Sequence, residues 1–152
     1  MKKYLMICCF FATQASADEL RNLCAQQSDL VEFMMSVRQD GFARDGIETE
    51  LQKRQPSAPA GYWQQAVPQH LLKFVYKTNG LNPVAVREYL FNVCLTEITG
   101  IDNPATSAAL YTVAKDCQGQ FDTDKAKIKA CVETAAEPIL MAAWQARPQA
   151  KK

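Results

Sequence analysis

The chain has 152 residues, 48% of them apolar, which is enough for one domain with a real core. Its 17 basic and 16 acidic residues nearly cancel, so there is no electrostatic case for nucleic acid or for an anionic membrane surface. No apolar run approaches the ~20 residues of a membrane-spanning helix.

The N-terminus has the order of a secretory leader. Lys2 and Lys3 precede the apolar run Tyr-Leu-Met-Ile-Cys-Cys-Phe-Phe-Ala, and Ala15-Ser16-Ala17 is a small-x-small cleavage site. Ile7 stands before Cys8 where a lipoprotein signal needs a small residue, so no lipid anchor is expected. Residues 1–17 are therefore expected to be removed in export to a periplasmic or secreted location. The two-lysine start and short run have a bacterial style. Without Lys2 and Lys3, 15 basic residues face 16 acidic ones, a net charge of −1.

The remainder reads as an all-α domain over residues 18–146, with five to seven short helices. In residues 18–39, Leu20, Leu23, Cys24, Leu30, Val31, Met34 and Val37 form one stripe, and Gly41 suits a left-handed stop. Met34 and Met35 are adjacent, so one of them is expected off the core stripe. Asp45 with Glu48 is a capping-box pattern for a short helix whose apolar pair is Ile47 and Leu51. Residues 56–61 carry two prolines and a glycine and break the helical pattern. Tyr62 and Trp63 follow at once.

A helix over 68–77 turns inward Leu71, Leu72, Phe74 and Val75, and Asn79-Gly80 closes it. The clearest helix comes next. Asn82 is an N-cap type and Pro83 suits the first helical position. Val86, Leu90 and Val93 make its stripe, with Cys94 beside them. The short connection predicts an antiparallel pair with the preceding helix. Gly100 ends this helix, and Asn103-Pro104 repeats the start signal 21 residues on. Leu110, Val113, Ala114 and Cys117 then point inward, with Gly119 as the expected stop. Asp122 or Thr123 should cap the last pattern, in which Ile128, Cys131, Val132 and Ala135 share a face. Pro138 is expected to interrupt it before 139–144, and 147–152 is a polar tail expected to be disordered. No segment alternates with period two.

Of six cysteines, Cys8 and Cys9 lie in the leader. The other four imply two disulfides in an oxidising compartment, with three pairings possible. Inward placement on neighbouring stripes favours Cys24–Cys94 and Cys117–Cys131. No cysteine pair has Cys-x-x-Cys spacing, so no metal site is expected.

No motif supplies a catalytic role. His70 reads as a surface or cap residue. Glu48, Glu50, Glu88 and Glu97 are helix carboxylates with nothing to single out two as an acid–base pair. Lys125, Lys127 and Lys129 read as a solvated face, because Lys127 points away from the other two. Phosphate loops, nucleophile elbows and dinucleotide fingerprints are missing, so neither an enzyme nor a cofactor is expected. Tyr62 and Trp63 are the candidate partner-binding residues, as exposed anchors beside the loop 55–61, with a lid over the core as the alternative.

By size, export and helix content, the chain resembles the small periplasmic proteins that bind and neutralise a partner, including helical immunity proteins. It shares no motif with them. The expectation is a non-enzymatic binder of a protein in the cell envelope. The alternatives are an accessory part of a secretion or conjugation machine, or a small hydrolase with an unrecognised carboxylate site.

Overall fold

The computed structural model describes residues 17–54 and 68–147. Among them are six α-helices, one 3-10 turn and no strand. The helices are α1 (Ala17–Gln39), α2 (Ile47–Arg54), α3 (Gln69–Lys77), α4 (Pro83–Ile98), α5 (Pro104–Phe121) and α6 (Lys125–Gln145), with the 3-10 turn at Arg44–Gly46. None is long and apolar enough to cross a membrane. The chain is an all-α domain stapled by two disulfides.

Helix α4 is the axis, with α1, α5 and α6 packed around it. It starts as the sequence predicts. Asn82 Oδ1 accepts from the Ala85 N–H at 2.9 Å, and Pro83 occupies the first turn. The single stripe does not hold, however. Val84, Ala85, Val86, Leu90 and Cys94 are buried on several sides, while Val93 is half-buried. A helix enclosed by three neighbours needs apolar residues around most of its circumference, so no one stripe describes it. Its buried polar side chains bond to the helix itself. Asn92 donates to the Glu88 carbonyl at 2.8 Å and Thr96 to that of Val93 at 2.7 Å.

Helix α1 runs antiparallel to α4. The Cys24–Cys94 disulfide joins them at one end, and Arg87 meets Asp29 and Glu32 further along. Both Met34 and Met35 are buried, against the expectation for one of them. Helices α2 and α3 also pack on α1, so its second half is covered over a wider arc than one stripe. In its first half Leu23 is exposed, although the spacing had put it inward.

Several boundaries differ from the sequence reading. Asp45 falls inside the 3-10 turn, and α2 starts at Ile47, so Gly46 and not Asp45 directly precedes that helix. Helix α3 lies mainly against α1 and meets α4 through Phe74 and Tyr89, whose rings stack at 6.1 Å. Helix α5 continues through Gly119 to Phe121, and Asp122 makes the turn at φ +50°. The cap of α6 is Asp124, which accepts from the Lys127 N–H at 3.1 Å. The Cys117–Cys131 disulfide pins α5 to α6 across this turn. Helix α6 runs on past Pro138, whose missing N–H leaves one helical hydrogen bond unmade.

A candidate binding cleft

The ends of α4 and α6 lie side by side and leave an apolar cleft between them. Leu95, Thr99 and Ile101 form one wall and Leu140, Met141 and Trp144 the other, around about 240 Å³ with no polar atom exposed in the lining. The first wall is set by how α4 stops. Gly100 takes φ +66°, its N–H donates to the Glu97 carbonyl at 3.1 Å, and the Ile101 N–H donates to that of Thr96 at 2.9 Å. This is a Schellman closure, which folds the apolar residue after the glycine back against the helix it ends. Ile101 is buried as a result.

The second wall comes from the unbroken course of α6. Ile128, Val132 and Ala136 make its buried face. Leu140, Met141 and Trp144 lie on an adjoining face, with Met141 53% and Trp144 46% exposed. Met141, Trp144 and Leu23 are the large exposed apolar side chains among the described residues. The Arg147 guanidinium lies 4.1 Å above the Trp144 ring, so this first residue of the expected tail has a definite place. Residues 148–152 lie outside the described residues.

Tyr62 and Trp63 also lie outside the described residues, as does the loop 55–61. The flanking positions Arg54 and Pro68 border α2 and α3, on the second half of α1. His70 is exposed in the first turn of α3. Glu50 pairs with Lys53 and Arg54, and Glu97 is exposed. Lys125, Lys127 and Lys129 are exposed and pair with Glu32, Asp124 and Glu133.

Glu88 is the carboxylate that sequence reasoning undervalued. It is 1% exposed and pairs with Arg87, which also reaches Asp29 at 2.7 Å. Burial raises its carboxyl above the ordinary value, and the charge of Arg87 offsets part of that rise. Because Arg87 holds Glu88 and also bonds α1, the cluster joins two helices. Among the described residues no group of three His, Cys, Asp or Glu side chains could hold a metal ion.

No family model matches the chain, and neither does any curated protein or solved structure. The functional reading therefore rests on the residues of this chain alone. The cleft had one sequence signal: Ile139, Leu140 and Met141 are consecutive, and a helix with one buried face needs apolar residues only at helical spacing.

Proposed function

We propose that the protein is an exported, non-enzymatic binding domain of the bacterial envelope, an inhibitor or immunity-type protein that docks a partner protein on the cleft of α4 and α6. The observation that carries this reading is the exposed pair Met141 and Trp144 beside an apolar cleft. Exposed tryptophan next to a preformed pocket is typical of the few residues that dominate interface energy. Burying the open half of Trp144, on the order of 100 Å², would contribute roughly 2.5 kcal/mol. Export is supported by the leader pattern and by two disulfides. Binding would proceed by occlusion, since a frame cross-linked next to the cleft loses little conformational freedom on docking.

The test compares the wild-type protein with Trp144→Ala in capture from periplasmic extract. The variant should lose the captured protein and keep its melting temperature within the small range of a surface change. A large fall in melting temperature would instead make Trp144 part of the core. Tyr62 and Trp63 belong in the same experiment, because the loop beside them is a second candidate contact.

A further inference from the structure

Glu133, Glu137, Leu140 and Trp144 recur along α6 at spacings of four, three and four residues, so they share one stripe, with Met141 at its edge, and Arg147, two residues past the helix end, lies over the Trp144 ring at the end of that stripe. Leu140 is half-buried and the others are exposed. The stripe is acidic at its start, apolar in the middle and basic at its end. Such an order is complementary to its own reverse. In an antiparallel pair of α6 helices with the two-fold level with residue 142, Trp144 of one copy stands opposite Leu140 of the other. Because Arg147 lies over Trp144, the same register brings it toward Glu137 of the other copy, one turn before Leu140. One alignment thus satisfies the apolar and the ionic contacts together, whereas a parallel pair would place like charges side by side.

We propose that the occupant of the cleft is a second copy of this chain, docked antiparallel through α6 so that Trp144 of each copy enters the cleft of the other. The inference rests on reading the cleft as a binding surface, and it makes the protein docked there a second copy of this chain instead of a separate envelope protein. Among the described residues, neither Glu137 nor Arg147 forms an ion pair within the chain, so both are available across the interface. The contact is isologous, because one patch supplies both sides and the assembly closes at two copies. The position of Arg147 over the Trp144 ring presents its charge on the same stripe as the anchor.

Sedimentation equilibrium of the oxidised protein, recovered from the periplasm of an expressing bacterium, tests the proposal. A concentration-dependent dimer is expected. Trp144→Ala should weaken it by about 30-fold or more. Arg147→Glu and Glu137→Arg should each weaken it, since each sets like charges opposite one another. Combining the two in one chain should restore it, because every cross-interface pair is then reversed. Circular dichroism and a melt of each variant confirm that it is folded. A monomer at all concentrations would overturn the pairing, as would a dimer indifferent to these changes or a double variant that fails to recover. A monomer whose Trp144→Ala variant still loses a captured envelope protein overturns the dimer and leaves the binding reading standing.

Discussion

Cys94, bonded to Cys24 of α1, is the residue immediately before Leu95 in the wall of the cleft. The longest covalent tie in the fold therefore lies next to the candidate site. The two disulfides close chain separations of 70 and 14 residues. In the chain-entropy model they stabilise by roughly 4 and about 3 kcal/mol. Urea unfolding should show a larger loss for the Cys24→Ala/Cys94→Ala pair than for Cys117→Ala/Cys131→Ala. A non-reducing peptide map that joined Cys24 to Cys117 or Cys131 would reject the arrangement.

Asn82 does more than cap α4. Its Nδ2 donates to the Asp122 carbonyl at 3.0 Å, and its backbone N–H donates to Gln118 Oε1 at 2.5 Å, so the start of α4 is tied to the end of α5. Asn103 caps α5 by accepting from Thr106 at 2.8 Å, with only a long 3.4 Å donation to Ile101 besides. Asn82→Ala should therefore cost about 2 kcal/mol and Asn103→Ala about 1. Asn82→Asp, which keeps the cap and loses the Nδ2 donor, should fall between wild type and Asn82→Ala. Equal costs for the two alanine variants would remove the second role of Asn82.

Features with a local cause were legible in the sequence. Both Asn-Pro starts depend on a side chain and its own next turn, and both appear where expected. The disulfide pairing followed from inward placement. Features set by neighbours were not legible. Gly119 continues its helix because it needs no special backbone angle there, whereas Asp122 accepts the positive φ. Met35 is buried because a second layer of helices covers α1, and the stripe of one helix cannot reveal that. The cleft depends on the ends of α4 and α6 coming together, which no spacing within either segment encodes.

Glu88 gives a prediction in pH. Its folded carboxyl binds a proton more tightly than an ordinary glutamate, so the folded state holds more protons than the unfolded chain between the ordinary value and the raised one. Its contribution to stability is present below that window and is lost as pH rises through it. The charges around it are Arg87 on α4, Asp29 and Glu32 reached through Arg87 on α1, and Lys129 and Glu133 on α6. Glu88→Gln should remove this slope, so the variant gains on wild type as pH rises through the window. Urea unfolding of both proteins from acid to neutral pH measures it. A constant difference would mean that Glu88 does not titrate there.

The central claim is that the cleft of α4 and α6 is a binding surface. A photocrosslinking amino acid at position 141, in the protein expressed in bacteria with its leader, reads this most directly. Position 115, exposed on α5, is the control. The account predicts protein adducts on illumination from position 141 and none from position 115, with an adduct at twice the mass of the chain if the occupant is a second copy. No adduct from position 141, or equal adducts from both positions, would contradict it.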